Sequence, residues 1–159
     1  MKKVIWTMAL ILVLSIGSLG LAADSHTVTV TINSFARVSV TGSASVTVYE
    51  NDFVNGYANK DLNSTVQIAV RTNNNNGCKV LASASNDFSK TFPVSRLKAK
   101  IDTDGVSYLP LATTPVELVN FSSKQKDNYS VLFRLEELPE TQEAGNYTTT
   151  ITYTAVVNS

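Results

Sequence analysis

The sequence predicts an all-β chain, folded as an antiparallel β-sandwich of immunoglobulin-like type with about eight to ten strands. Three observations predict it. Apolar residues alternate with polar ones at period two through almost every segment after Asp24, which turns successive side chains to opposite faces of a strand. Gly, Pro and Asn clusters punctuate these segments, many of them spaced roughly 8–12 residues apart as in a sandwich. No segment carries a long apolar stripe at helical spacing. One-sided alternation leaves each sheet with one face to bury, and two sheets packed together satisfy both. A closed barrel is the alternative.

The N-terminus reads as a secretory signal over residues 1–23. Lys2 and Lys3 supply the positive end, residues 4–14 are apolar except for Thr7, and Gly20-Leu21-Ala22-Ala23 offers small residues for cleavage. The competing reading is a membrane anchor, since residues 4–23 are just long enough to span a bilayer. Ser15, Gly17, Ser18 and Gly20 lower the hydrophobicity towards the end, as a cleavage region does, and no Cys follows to carry a lipid. The expectation is therefore an exported protein of the periplasm, cell surface or extracellular space, with no stable membrane insertion after cleavage.

Residues 24–159 read as one domain. Val28, Val30 and Ile32 alternate with Thr27, Thr29 and Thr31. Val46 and Val48 form a second alternating run, and Val66, Ile68 and Val70 a third. Tyr129, Val131, Phe133 and Leu135 share one face, as do Tyr147, Ile151, Tyr153, Ala155 and Val157 opposite Thr148, Thr150, Thr152 and Thr154. The β-branched residues in these runs are stiff at χ1 and fit a pleated surface better than a helix. Asn73-Asn74-Asn75-Asn76-Gly77 predicts a hairpin between residues 66–72 and 78–83, because Asn and Gly tolerate positive φ. Asp104-Gly105 predicts a second, joining 97–101 to 106–109. Pro110, Pro115 and Pro139 fall between runs, where a missing N–H costs no ladder bond.

Composition narrows the function. Lys2 and Lys3 leave with the signal, so the 13 Asp and Glu outnumber the remaining Lys and Arg, which form no basic run. A nucleic-acid partner would need clustered cations to displace counterions, and that class is rejected. The single cysteine, Cys78, makes an internal disulfide impossible. It reads either as a small buried residue at a strand start or as a thiol for an intermolecular bond. His26 is the only histidine and lies near the mature end; HExxH, GxSxG and a phosphate-binding Gly loop are all missing from the sequence. The expectation is no catalytic site and no cofactor.

Two acidic groups call for weighing. Asp102-Thr103-Asp104-Gly105 begins like a calcium loop, but no third ligand precedes the Gly and no Glu follows at the required distance, so a tight turn is favoured. Glu136, Glu137, Glu140 and Glu143 crowd around Pro139 and read as a solvated connection rather than paired glycosidase carboxylates, which need an enclosed cleft. Among the aromatic residues, Tyr49, Phe53 and Tyr57 in the loop 50–60 are the least obviously core and form the candidate contact surface. Sequons at Asn63, Asn120, Asn128 and Asn146 arise easily in a chain rich in Asn, Ser and Thr, and glycosylation is not expected.

The C-terminal run Ala144-Gly145-Asn146-Tyr147-Thr148-Thr149-Thr150-Ile151-Thr152-Tyr153-Thr154, led in by Pro139, resembles the closing strand of bacterial pilins and spore coat protein U-like domains. The likeness covers some 15 residues. Ile68-Ala69-Val70-Arg71-Thr72-Asn73 with Gly77 is similar to a recurrent hairpin of bacterial surface proteins. This resemblance implies an exported subunit with an incomplete immunoglobulin-like fold, joined to the next copy, or to a related surface subunit, by an N-terminal strand filling an open groove. Thr27, Val28, Val30 and Ile32 would form that assembly strand. The same segment can equally be the first strand of its own sandwich. Cys78 alone cannot make the disulfide many pilins carry. The resulting expectation is a non-enzymatic structural or adhesive surface protein. The alternative is a monomeric glycan- or protein-binding module.

Overall fold

The computed structural model of the protein describes residues 29–159. Its described residues form twelve strands, each pairing antiparallel, and two single-turn 3-10 helices at Glu50–Asp52 and Val94–Arg96. Four strands have only two residues, which leaves eight of five residues or more. The chain is an antiparallel β-sandwich. The signal reading of residues 1–23 lies outside the described residues.

The larger sheet is organised by β11 (Gln125–Pro139), the longest strand. One of its edges takes β6 (Gln67–Thr72) and then β4 (Tyr57–Asp61); its other edge takes β8 (Leu97–Ile101), which continues to β9 (Leu109–Pro110). Outside β6 lies β1 (Ala36–Thr41). β2 (Ala44–Ser45) and β5 (Asn63–Ser64) carry the β1–β6 register onward past a break at residues 42–43. β3 (Phe53–Val54) folds back on β4 through Asn55-Gly56, both at positive φ (55° and 83°), the conformation a two-residue hairpin needs. The smaller sheet has β7 (Cys78–Ala84) at its centre, flanked by β10 (Val116–Phe121) and β12 (Ile151–Val157).

The core lies between the sheets. Ile68 and Val70 on β6, Val131 and Phe133 on β11, and Leu97, Ala99 and Ile101 on β8 meet Cys78, Val80, Ala82 and Ala84 on β7 and Leu118 on β10. Alternation puts these side chains on one face of each sheet, and each fully buried Val, Leu or Ile contributes about 1.5–3 kcal/mol. Cys78 is fully buried at the start of β7, and burial pushes its thiol pKa up, as expected of a packing residue. A second cluster at one end gathers Ala58, Phe92, Leu135 and Leu138, with Phe92 stacked edge-on against Tyr147 at 5.1 Å.

Several sequence expectations need correction. The Asn73–Gly77 stretch is not a hairpin: β6 and β7 pair with different partners in different sheets, so this turn carries the chain across the sandwich. Gly77 sits at φ 78°, and a Cβ there would lie 1.9 Å from the Phe121 carbonyl oxygen, which forces the chain tightly under β10. Residues 50–60 form the 3-10 turn and the β3–β4 hairpin rather than a loop. Glu136 and Glu137 belong to β11, not to a connection, and Pro139 is its last residue. Tyr147 precedes the closing strand, which begins at Ile151. Asp104-Gly105 does connect β8 to β9, but through the longer stretch 102–108.

Candidate functional site

The feature with most functional content is a side of the sandwich where the core is not closed. β1 is the outermost strand of the larger sheet there and β12 that of the smaller sheet, and the two lie beside each other without pairing. Register identifies their inward side chains. Val38 and Val40 of β1 stand opposite Val70 and Ile68, both fully buried. Ile151, Tyr153, Ala155 and Val157 of β12 stand opposite Ala84, Ala82, Val80 and Cys78, also buried. The partners are covered, but the edge residues are not: Val40 is 48% exposed and Val157 39%, and the others are only half-buried. A seam of core-facing apolar side chains therefore stays accessible between the two edges.

The backbone of β12 is also available. Ser85 N–H donates to the Thr150 carbonyl and Asn158 N–H to the Gly77 carbonyl, which sets the pairing phase along β12. Even-numbered residues direct their N–H and C=O groups to β7, so those of Ile151, Tyr153, Ala155 and Val157 point to the open side. No charged residue occurs from Asn146 to Ser159, and β12 pairs in one unbroken register without a bulge or proline. Exposed edges normally carry such devices to prevent strand addition. The opposite edge of the same sheet does: β10 has a register shift between Glu117 and Val119, and Glu117 is ion-paired with Lys79 at 2.8 Å. Tyr153, facing inward beside the seam, has a hydroxyl without a partner among the described groups, and burial raises its pKa.

An asparagine-built corner closes one end of this seam. The Asn158 side-chain amide donates to the Asn76 carbonyl (2.7 Å), Asn120 Oδ1 (2.8 Å) and the Phe121 carbonyl (2.9 Å). The Asn74 amide donates to the Asn158 and Gly77 carbonyls. Asn73 holds the lead-in to β1 by accepting from Phe35 N–H at 2.8 Å and donating to the Asn33 carbonyl at 3.0 Å. The Asn run thus ties the start of β1 and the end of β12 to the same turn. The sequence showed the run, but nothing in it shows the long-range partners.

Of the expected assembly strand, Thr27 and Val28 lie outside the described residues. Residues 29–32 form no strand, and Val30 and Ile32 are 78% and 79% exposed. The expectation that 27–32 is the first strand of its own sandwich therefore has no counterpart in its described part; the first described strand begins at Ala36. The candidate contact surface divides. Tyr49 and Tyr57 are exposed, whereas Phe53 packs against the second core cluster. Tyr49 has the Lys60 ammonium 5.4 Å from its ring, and Lys60 pairs with Asp52 at 2.6 Å. That pairing holds the Asp52 carboxyl below its usual range, helped by the Tyr49 N–H.

Ion pairs line the outer face of the larger sheet around β4, β8 and β11. Arg134 grips Asp61 through Nε at 2.6 Å and lies 4.6 Å from the Tyr108 ring, Lys98 pairs with Glu136, and Arg96 with Glu137. Glu137 sits at φ 55° where β11 bulges against β4, and its N–H is satisfied by Asn59 Oδ1. Two open hollows of about 230 and 250 Å³ lie among these pairs. Neither a family model nor a curated protein matches the chain.

Proposed function

We propose that the protein is an exported, non-enzymatic structural or adhesive subunit that assembles by β-strand addition. In this reading, residues 27–32 of one copy lie along the seam between β1 and β12 of the next. The observation that supports it most is the coincidence, along one side, of an unguarded β12 edge and a row of half-covered, core-facing side chains. A strand laid there gains main-chain hydrogen bonds from Ile151, Tyr153, Ala155 and Val157, and alternate side chains fill the seam. Val28, Val30 and Ile32 have the required spacing, and Val30 and Ile32 are exposed.

The test is the size distribution of the chain lacking residues 1–23, by size-exclusion chromatography with light scattering. The expected result is a ladder of oligomers for the unaltered chain and folded monomers for Val30→Glu/Ile32→Glu and for deletion of residues 24–33. A monomer at all concentrations, oligomers that survive both changes, or unfolding of a monomer by the deletion would each overturn the reading. Exposed Tyr49 and Tyr57 favour a second reading, a binding module acting through the 3-10 turn and the β3–β4 hairpin.

A further inference from the structure

Register brings three cations into one row on the outer face of the larger sheet. Arg37 on β1 stands opposite Arg71 on β6, and Arg71 stands opposite Lys126 on β11. Adjacent strands are about 4.8 Å apart, so the row spans roughly 10 Å. Like charges placed directly opposite one another are destabilising in a sheet. Elsewhere on this face Arg134 also stands opposite Lys98, but those two are neutralised by Asp61 and Glu136, and Lys60, Lys79 and Arg96 likewise have a carboxylate partner. Arg37, Arg71 and Lys126 have none among the described residues. Asp127, next in sequence to Lys126, stands opposite core-facing Val70 and so belongs to the other face.

The row is held in place. Arg71 Nη1 donates to the Asp127 and Val70 carbonyls at 2.8 and 2.9 Å, and Nη2 to Asn128 Oδ1 at 3.2 Å. The guanidinium is thereby fixed against β11, with its charge uncompensated by any carboxylate. The next two cross-strand rows on this face are Ser39, Ala69 and Asn128, then Thr41, Gln67 and Ser130. Apart from Ala69, these are hydroxyl and amide side chains beside a line of positive charge. Such a surface offers ion pairs to carboxylates and hydrogen bonds to sugar hydroxyls.

We infer that the outer face of β1, β6 and β11 binds an acidic polysaccharide, with Arg37, Arg71 and Lys126 pairing with carboxylates on successive sugars. Charge complementarity and the hydroxyl-bearing rows favour a glycan over a lipid surface. Half-exposed Phe35, just ahead of β1, is one apolar ring, whereas interfacial docking needs a broad apolar face. The site stands apart from the seam and does not depend on strand addition. Arg71 is left intact in the test because its hydrogen bonds brace two strands. Binding of the purified protein to polygalacturonate is measured at roughly 50 and 200 mM salt, with neutral dextran and phosphatidylglycerol vesicles as the other arms. Polygalacturonate should bind, and Arg37→Gln/Lys126→Gln should weaken it by on the order of tenfold and flatten its salt dependence, while the melting temperature stays the same or rises as the like-charge repulsion is relieved. Lys90→Gln, the same kind of charge removal on a remote loop, should leave binding unaltered. No binding to polygalacturonate, or equal weakening by Lys90→Gln, overturns the inference. Vesicle binding that the double variant abolishes overturns the glycan assignment in favour of a membrane.

Discussion

Asn158 illustrates how single side chains set this molecule's shape. Its amide nitrogen is surrounded by three acceptors, the carbonyls of Asn76 and Phe121 and Asn120 Oδ1, all within 2.9 Å. Removing it as Asn158→Ala loses these bonds, two of them at exposed positions that water can reach, which costs about 0.5–1.5 kcal/mol. Asn158→Asp should destabilise further at neutral pH, because it places a negative charge among oxygens, and acid should narrow the gap between the two variants. Chemical denaturation at pH 7 and pH 4 reads both effects. Equal stability of the Ala and Asp variants at both values would show that the amide is not the organising group.

At the scale of elements, β12 differs from the other long strands in having one side unpaired and unguarded. The phase of its ladder makes a selective test possible. Ala155→Pro removes an N–H that points to the open side and leaves the bonds to β7 intact, an edge position where proline is tolerated. The expected outcome is a folded chain, within about 1 kcal/mol of the original, that no longer assembles. A proline at Val156 should instead break a β7 bond and lower the melting temperature. Retained assembly in Ala155→Pro would move the acceptor edge away from β12. The β6–β7 turn is instructive at this scale too. Five residues ending in Gly satisfy the hairpin rule locally, yet the strands enter different sheets, where β6 pairs on both sides with β11 and β1 and β7 on both sides with β10 and β12. Asn55-Gly56, a two-residue hairpin signal inside the stretch 50–60 that reads as a loop, does close a hairpin.

For the whole molecule, the ion pairs on its surface predict an acid limb of stability. Hydrogen bonds from Lys60 and Arg134 hold Asp52 and Asp61 below their ordinary value of 3.8. A carboxyl whose folded pKa is depressed stabilises fully above its unfolded value and loses that stabilisation as pH falls through the folded one. The melting temperature should therefore drop below about pH 4, and Asp52→Asn/Asp61→Asn should show a shallower drop. Parallel curves for the two proteins would mean that other groups set the limb.

Sequence alone determined the fold class, since period-two alternation with β-branched residues commits each segment to a strand with one buried face, and those faces reappear in the core as Ile68, Val70, Val80, Val131 and Phe133. It offered two readings of Cys78, and only the tertiary structure puts the thiol inside the core. Tertiary structure decided which strands are neighbours, because pairing depends on contacts far apart in sequence that local chemistry does not encode. It alone revealed that Val40 and Val157 face a core they do not close, that β12 lacks the guards β10 carries, and that Arg37, Arg71 and Lys126, scattered over some 90 residues of chain, stand in one row.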